Sequence, residues 1–354
     1  MARKRTTGIG VIGCGTIAYW KHLRNLGRLS GVRVAGLVDP DAAALDRARR
    51  LLDAPVFPTV DELLASRDVD AVVIATPTPM HAAHLAAACQ AGKAVYLEKP
   101  VAHDTVSLRS VERCVEGKVQ TVAVGYNLRF HPGCLLLRQH VCSGSLGDVR
   151  AVVSHFVEPY GEEHMPAWRK SRAQGGGVLL DLGTHHMDLY RWLLKDELAH
   201  VAARIPSRGP GRDSAWLEAD TRGNVELLGY FSYATSRSHR ISVHGSAAVM
   251  HLDLHTGVVR EERNRRSGYG VRRRALWSGP ADLSWRLRKR VQPSYDPSFR
   301  SALRAFIDSA AGIASWHPDL ATLHDGVAAV RAVLEAEAAA FGGGDMPAAA
   351  PDPL

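Results

Sequence analysis

The sequence of 354 residues lacks any apolar run long enough to form a membrane-spanning helix. We also expect no secretory signal peptide, because the basic residues 1–5 lead into a strand-like segment and a glycine turn. The five cysteines are odd in number and include no C-x-x-C pair, which is typical of reduced thiols. These absences exclude a membrane protein and a small disulfide-stabilised domain, and they predict a cytoplasmic protein.

The chain also lacks a general excess of basic residues, although its net charge is +8. Residues 260–290 hold eleven Arg or Lys and three Asp or Glu, so the charges of the remainder balance. This distribution argues against a nucleic-acid-binding surface. The basic segment could contact a phosphorylated substrate or a partner, but we favour the interpretation that it is a solvated arginine-rich loop.

What is present is the composition of an ordinary globular protein, with 46% hydrophobic and 23% charged residues. Through residue 125, continuous apolar runs alternate with helical segments. This alternation predicts a doubly wound parallel sheet with both faces covered. We therefore predict an α/β domain at residues 1–125.

The pattern of apolar and polar residues changes after residue 125. Strand-like segments of alternating polarity predict an antiparallel sheet with one face less buried, accompanied by a helix that includes Asp181. Two further helices are predicted within 296–313 and 320–341. We expect a second, α+β domain at 126–341 and a disordered tail at 342–354. No internal repeat is visible.

The turn Gly13–Ala18 fits the pattern G-x-G-x-x-A, follows a strand and opens a helix. Gly13 would make the tight turn, and Gly15 would let the backbone approach a pyrophosphate. The helix N-terminus that includes Thr16 and Ile17 would favour the negative phosphates. This combination predicts dinucleotide binding.

Asp39 ends the next predicted strand, 24 residues after Gly15. A carboxylate at this position would accept hydrogen bonds from the hydroxyls of the adenosine ribose. The following residues are Pro40 and Asp41, and no arginine there could neutralise a 2′-phosphate, which favours NAD over NADP. The structural role open to Asp39 is to cap the helix predicted at residues 41–52, and one carboxylate can fill both roles together.

Glu98-Lys99-Pro100 closes a strand that we count as the fifth. Ligands of open α/β sheets lie beyond the carboxyl ends of strands, so Lys99 is predicted to point into the cofactor crevice. Pro100 would restrict the lysine to extended backbone conformations. Its ammonium could polarise a reacting oxygen, or it could merely pair with Glu98.

The stretch Gly175–Leu194 places ionisable residues in an apolar helix. Asp181, His185 and Asp188 are spaced i, i+4 and i+7, which predicts one stripe on one helical face. Buried charge is unfavourable, so this stripe requires an explanation beyond packing. The structural alternative places Asp181 at a helix N-terminus and both histidines at a domain interface.

Several motifs together resemble the glucose–fructose oxidoreductase/inositol dehydrogenase/rhizopine-catabolism (Gfo/Idh/MocA) family. The resemblance extends from Gly8 to Phe341, and it rests on the glycine turn and on TPTPMH, YLEKP, GYNLRFHP and GGGVLLDLGTHHMDL. It implies a Rossmann domain followed by a domain with an open, mostly antiparallel sheet that often forms homodimer or homotetramer contacts. The chain departs from the family pattern at Thr78, where many members have Asn.

The resemblance also implies roles for individual residues. The catalytic group would be Lys99, Asp181 and His185, with His185 taking a proton from a substrate hydroxyl and Asp181 binding a hydroxyl or orienting the imidazole. Asp188 is expected to be structural. The predicted cofactor-binding residues are Gly13, Gly15, Thr16, Ile17, Asp39, Thr76, Pro77, His81, Glu98 and Lys99. The predicted substrate-binding residues are Tyr126, Asn127, Arg129 and His186, and His131 is expected nearby.

These roles predict an NAD-dependent dehydrogenase for a secondary alcohol of a sugar, cyclitol or amino-cyclitol, free or linked to a phosphate or nucleotide. One alternative is an NAD-dependent glycoside hydrolase or lyase that acts by transient oxidation. Another is a non-catalytic NAD-sensing regulator, against which the retained catalytic residues argue. No metal is expected, because the pairs His81/His84 and His251/His255 are not completed by a cysteine or acidic cluster.

Overall fold

The computed structural model describes residues 6–115, 121–160, 165, 167–206, 213–264, 271–276, 285, 287 and 296–341. The chain divides into two compact units. The first extends to Phe130 and includes Pro297–Val327, and the second comprises His131–Asp296 and the chain from Ala328 onward. The segment Pro297–Val327, which the sequence assigned to the second domain, therefore lies in the first unit. The predicted tail at 342–354 is outside the described residues, as is much of the basic segment 260–290.

The secondary structure alternates in the first unit and is dominated by strands in the second. The strands are β1 (Thr7–Ile12), β2 (Val32–Val38), β3 (Ala71–Ile74), β4 (Ala94–Leu97), β5 (Val122–Val124), β6 (Val149–Val157), β7 (Leu198–Arg204), β8 (Ser214–Thr221), β9 (Glu226–Ser232), β10 (Ser238–Gly245), β11 (Val249–Asp253), β12 (Val258–Asn264), β13 (Val271–Leu276) and β14 (Ala321–Thr322). The helices are α1 (π-helical over Ala18–Leu23, then α-helical over Arg24–Leu26), α2 (Ala42–Leu51), α3 (Val60–Ala65), α4 (His81–Gln90), α5 (Thr105–Val115), α6 (Pro132–Cys142), α7 (Ala167–Lys170), α8 (π-helical over Leu179–Gly183, then α-helical over Thr184–Leu194), α9 (Ser298–Ala310) and α10 (Leu323–Ala340).

The described residues of the first unit form a six-stranded sheet in the order β14-β5-β4-β3-β1-β2. All pairs are parallel except β14 with β5, which confirms the predicted parallel sheet. The order in which the chain adds strands reverses at β1, because β2 lies on one side of β1 and β3 lies on the other. Ligands of such sheets bind at this switch point, beyond the strand ends. The strand before Lys99 is β4, the fourth in chain order, so the count of five was wrong.

The segment Pro297–Val327 joins the first unit through the apolar face of α9. Leu303, Phe306 and Ile307 of α9 are buried in the same core as strand residues such as Val73 and Tyr96. The rings of Tyr96 and Phe306 meet edge to face, with centroids 5.6 Å apart. Burial of each such side chain stabilises the fold by about 1.5–3 kcal/mol, and this explains why α9 packs here.

The described residues of the second unit form an eight-stranded sheet in the order β13-β12-β11-β10-β6-β9-β8-β7. Only β6 and β9 pair in parallel among these strands, which confirms the mostly antiparallel sheet. Along β8, buried and more exposed residues alternate. On the less buried face, Trp216 is 48% exposed and Leu228 is 41% exposed.

Helix α8 is buried along most of its length, and sterics explain why glycines precede it. Gly175 and Gly177 have φ of 87° and 98°, a region that favours glycine. A Cβ on Gly176 would lie 2.4 Å from the carbonyl oxygens of Trp168 and Arg169. The glycines therefore let α7 approach the start of α8. Because α8 begins as a π-helix, Asp181 and His185 do not lie on one continuous α-helical stripe as predicted.

Two general expectations concern membranes and disulfides. No helix among the described residues is both long and apolar enough to cross a membrane. All five cysteines lie within the described residues, and none forms a disulfide.

Candidate active site

The glycine turn lies at the carboxyl end of β1. Gly13 has a φ of 89°, and a Cβ there would lie 2.8 Å from the Ala75 carbonyl oxygen. A Cβ on Gly15 would meet no atom within 4 Å, so the backbone at Gly15 borders open space. Thr16 and Ile17 follow in helical conformation, and the Tyr19 N–H donates to the Gly15 carbonyl. This arrangement fits the pyrophosphate of a dinucleotide.

Asp39 connects the end of β2 to the glycine turn. Its Oδ2 accepts the Cys14 N–H at 2.6 Å, and its Oδ1 accepts the Asp41 N–H at 2.8 Å. The cap of α2 is Asp41, whose Oδ1 accepts the Ala43 N–H at 2.9 Å. The alternative that Asp39 caps this helix is therefore wrong. Burial, reinforced by Asp39, raises the pKa of the Cys14 thiol to about 12, so this thiol stays protonated.

The carboxylate of Glu98 is buried at the end of β4. Its Oε1 lies 2.7 Å from Nε2 of His22, a fully buried residue of α1. Its Oε2 accepts the backbone N–H of Lys99 at 3.2 Å. The peptide bond from Lys99 to Pro100 is cis. Both oxygens of Glu98, a predicted cofactor-binding residue, thus contact groups of the protein.

His81 was predicted to bind the cofactor, but its buried ring contacts two backbone carbonyls. Nδ1 lies 2.8 Å from the Pro100 oxygen and Nε2 lies 2.9 Å from the Thr76 oxygen. Burial lowers the pKa of His81, opposed by these carbonyls and by Glu98. His84 lies 3.1 Å from the Thr76 hydroxyl. Among the described residues, no group of three or more His, Cys, Asp or Glu side chains could hold a metal.

The predicted substrate-binding residues after β5 are all buried in the first unit. Asn127 Nδ2 donates to the Ser298 hydroxyl at 2.7 Å, and Arg129 pairs with Asp325 at 3.3 Å. Tyr126 precedes them and is also buried. The segment Pro297–Val327 thus fixes this turn.

His131 opens the second unit. Its Nδ1 accepts the Gly133 N–H at 3.1 Å, and it therefore caps the start of α6.

Asp181 lies in the π-helical part of α8 and is only 3% exposed. Its Oδ2 accepts the Tyr233 hydroxyl at 2.8 Å and lies 2.9 Å from Arg169 Nε. The guanidinium of Arg169 also covers the ring of Tyr160 at 4.3 Å. Burial alone would lower the pKa of Arg169, but Asp181, Tyr160 and Tyr233 together outweigh burial and raise this pKa. Asp181 is therefore held as an acceptor in a fixed position.

The adjacent histidines of α8 have different surroundings. His185 retains 9% exposure and lies beside Phe156, with ring centroids 6.0 Å apart. His186 is fully buried, with Nδ1 2.8 Å from the Ser154 hydroxyl and Nε2 3.2 Å from Nε2 of His239. Burial lowers the pKa of His186 to about 3, so its ring is neutral. Both of its nitrogens contact the protein, although it was predicted to bind substrate.

Sequence reasoning did not single out four residues of these clusters: His22, Arg169, Tyr233 and His239. His22 had a local signal, since it lies four residues, about one helical turn, after Ala18 of the glycine turn and so shares its helical face. Tyr233 had none, because 52 residues separate it from Asp181.

A dinucleotide-binding sheet followed by an open, mostly antiparallel sheet defines a class of two-domain oxidoreductases. Residues 7–126 match the model of an oxidoreductase family with an NAD-binding Rossmann fold, and residues 134–251 match the Gfo/Idh/MocA C-terminal domain. The chain belongs to the Gfo/Idh/MocA family.

Similar proteins include sugar and cyclitol dehydrogenases. Inositol 2-dehydrogenase 2 of Saccharopolyspora erythraea is 34% identical over 62% of this chain and 65% of its own length. Inositol 2-dehydrogenase of Rhizobium meliloti is 28% identical over 68% of this chain and 74% of its own length. The match thus spans just under two thirds of the first relative. Levoglucosan dehydrogenase, solved with NADH and levoglucosan, shares the fold with a TM-score of 0.81 over 95% of this chain and 97% of that chain, at 18% identity.

Proposed function

We propose that the protein is an NAD-dependent dehydrogenase that transfers hydride between a CH–OH carbon of a sugar or cyclitol and nicotinamide. The observation that carries the proposal is the glycine turn at the switch point of β1, where the backbone of Gly15 borders open space. Family membership and the two inositol 2-dehydrogenases support the substrate class.

The first unit supplies the groups that would hold the cofactor. The backbone at Gly13 and Gly15 and the first turn of α1 would bind the pyrophosphate. Asp39, already placed by two backbone N–H groups, would accept the ribose hydroxyls. Because Asp41 adds a second carboxylate beside it, a 2′-phosphate would be repelled, and NAD is favoured over NADP. The bound nicotinamide supplies a hydride acceptor or donor.

The chain's own residues would handle the proton and the oxygen. When a substrate carbon loses hydride, its hydroxyl proton must leave as well, and His185 would take it as a general base. Asp181, fixed by Tyr233 and Arg169, would bind a neighbouring hydroxyl. The ammonium of Lys99 would stabilise the developing alkoxide. Tyr126, Asn127 and Arg129 remain the predicted substrate-binding residues.

We further propose a cytoplasmic homodimer or homotetramer assembled through the less buried face of the eight-stranded sheet. Trp216, Leu228 and Tyr230 lie on this face, and the rings of Trp216 and Tyr230 are 4.5 Å apart. Exposed apolar patches of this kind mark interaction surfaces. Sedimentation of the protein and of its Trp216→Arg variant tests this, and an unchanged oligomer in the variant would contradict it.

Turnover of a panel of inositols, aldoses and amino-cyclitols with NAD⁺ or NADP⁺ tests the activity. Net formation of NADH in proportion to oxidised product is the expected result. Product formation without net NADH would favour the hydrolase or lyase. NAD binding without turnover of any polyol would favour the regulator.

A further inference from the structure

The backbone on both sides of Lys99 is held by buried histidines. On the amino-terminal side, the Lys99 N–H donates to Glu98 Oε2, while Glu98 Oε1 contacts Nε2 of His22 at 2.7 Å. His22 belongs to α1, the helix that follows the glycine turn. Because a carboxylate only accepts hydrogen bonds, His22 Nε2 is the donor. This contact fixes the end of β4 relative to α1.

On the carboxyl-terminal side, His81 is the first residue of α4 and faces two loops at once. Its Nδ1 contacts the Pro100 carbonyl, directly after Lys99, and its Nε2 contacts the Thr76 carbonyl in the loop after β3. Both contacts are shorter than 3 Å; because a carbonyl only accepts hydrogen bonds and burial favours the neutral ring, His81 donates to one of the two carbonyls at a time and packs against the other. His81 therefore links the loop that contains Lys99 to the loop that contains the predicted cofactor residues Thr76 and Pro77.

We propose that His22 and His81 are positioning residues, which fix the backbone before and after Lys99 and thereby aim its ammonium at the reacting oxygen. A lysine side chain has four flexible methylene groups, so the position of its charge depends on how firmly its backbone is held. Displacement of a catalytic group by about 1 Å can lower a rate about a hundredfold. The proposal rests on the proposed dehydrogenase activity.

Two substitutions of His81 separate its contacts. In His81→Asn the amide nitrogen takes the place of Nδ1, which faces Pro100. In His81→Gln the amide nitrogen takes the place of Nε2, which faces Thr76, so each variant keeps one donor. We expect His81→Gln, which loses the Pro100 contact, to lower kcat about tenfold with little change in the Kd for NAD. His81→Asn, which loses the Thr76 contact, should raise that Kd and retain kcat.

His22 provides the second arm of the test. His22→Gln keeps a donor near Glu98 and should retain most of kcat, whereas His22→Leu should lower it about tenfold. Should His22→Leu fail to fold, His22→Gln and the two His81 variants still carry the test.

A matched control lies at the other end of the same sheet. Lys93 also joins two backbone carbonyls, those of Ser66 and Val69, at 3.0 and 2.7 Å. It precedes β4, whereas Lys99 follows it. Lys93→Met should lower the Tm as the histidine variants do, but it should leave kcat unchanged.

A double-variant cycle distinguishes positioning from general loss of structure. If the histidines act through Lys99, His81→Gln and His22→Leu should lower kcat little further in a Lys99→Met background. Full additivity there would overturn the proposal, as would equal kcat for His81→Gln and His81→Asn. If the unmodified protein binds NAD but oxidises no polyol, the proposed function itself fails. Lys99 then has no catalytic role for the two histidines to support.

Discussion

The carboxyl edge of the six-stranded sheet and the start of α8 satisfy their polar groups in different ways. At the sheet edge, the partners are mostly backbone groups, such as the Cys14 and Asp41 N–H groups on Asp39 and the two carbonyls beside His81. At the start of α8, Asp181 is held by the side chains of Tyr233 and Arg169. The first region is specified by its backbone path, the second by individual side chains.

This difference has energetic consequences. Backbone donors remain in place after most single substitutions, so the sheet edge should keep its geometry when one side chain is lost. A buried carboxylate that loses a side-chain partner keeps an uncompensated charge, which is strongly unfavourable. Substitutions around Asp181 should therefore affect stability and activity together, whereas those around Asp39 should affect mainly ligand preference.

The largest effects are expected at the two proton- and charge-handling residues. His185→Asn should retain the fold and NAD binding but lose alcohol oxidation by about a hundred- to ten-thousandfold, because a positioned base contributes that much. Lys99→Met should act similarly through loss of alkoxide stabilisation. Steady-state kcat and NAD titrations check both.

His186→Asn is the matched comparison on the same helix. His186 contacts Ser154 and His239 and has no exposed surface, so its substitution should lower the Tm and spare most of kcat. A severe loss of kcat in this variant, with His185→Asn active, would reverse the assignment of the two histidines. If neither His185→Asn nor His186→Asn had any effect, the NAD-sensing regulator would be favoured.

The same comparison shows what sequence could predict. The glycine turn, Asp39 and Lys99 follow buried strands directly, so their location beyond the strand ends could be derived from local pattern. Asp181 and His185 could be marked by spacing and resemblance. The π-helical turn at Leu179–Gly183 was missed, because the spacing i, i+4 and i+7 predicted a regular α-helix there.

Contacts between distant segments account for the rest. Arg129 pairs with Asp325 and Asn127 with Ser298, so the turn after β5 is completed by residues at least 171 positions later in the chain. The return of Pro297–Val327 to the first unit depends on the fit of the α9 face to that core. The sequence predicted this helix, but a local pattern carries no information about which core receives it.

Loss of the cation beside Asp181 should have the next largest effect. Arg169→Met removes the guanidinium beside the buried Asp181 carboxylate and keeps the Tyr233 hydroxyl bond. We expect a loss of about 3 kcal/mol in the free energy of unfolding, with lower kcat. Urea denaturation measures the change. The control is Arg150→Met, which removes an exposed pair with Asp148 and should cost less than about 1 kcal/mol. Similar losses for both variants would contradict the dependence of this effect on burial.

The buried histidines of the second unit predict a dependence of stability on pH. His186 titrates near pH 6.5 when unfolded and near 3 when folded, and burial likewise lowers the pKa of His239. The unfolded state therefore binds more protons below pH 6.5, and stability is lost as the pH falls below that value. Each histidine contributes up to about 1.4 kcal/mol per pH unit. Urea denaturation at about pH 7 and pH 5 should show a smaller difference for His186→Asn than for the unmodified protein, and an equal difference would contradict this cause.

At the sheet edge, Asp39→Ala should alter cofactor preference more than stability. We expect NAD to bind more tightly than NADP, and the variant should narrow the ratio of the two Kd values by about tenfold, since the carboxylate no longer binds the ribose or repels a 2′-phosphate. Fluorescence titration with NADH and NADPH measures the ratio. Equal affinity in the unmodified protein would refute the NAD assignment.

The smallest effect is expected for the arginines of β12 and β13. His239 contacts His186, which adjoins the proposed base His185, so His239 marks the end of the sheet nearest the proposed substrate site. It lies where β10 begins, and the sheet register aligns this end with Val258 of β12 and Leu276 of β13. Arg263 and Arg272 are register partners on β12 and β13. They lie five and four residues beyond Val258 and Leu276, which places them about 14–17 Å from that end of the sheet at roughly 3.4 Å per residue. Glu261 already pairs with Arg263 and Arg274. Reversal of the charges of Arg272, Arg273 and Arg274 to glutamate should therefore leave the KM for a polyol unchanged at low and high salt. If instead the KM for a phosphorylated sugar rises in this variant, and rises steeply with salt in the unmodified protein, the basic segment recognises a substrate phosphate.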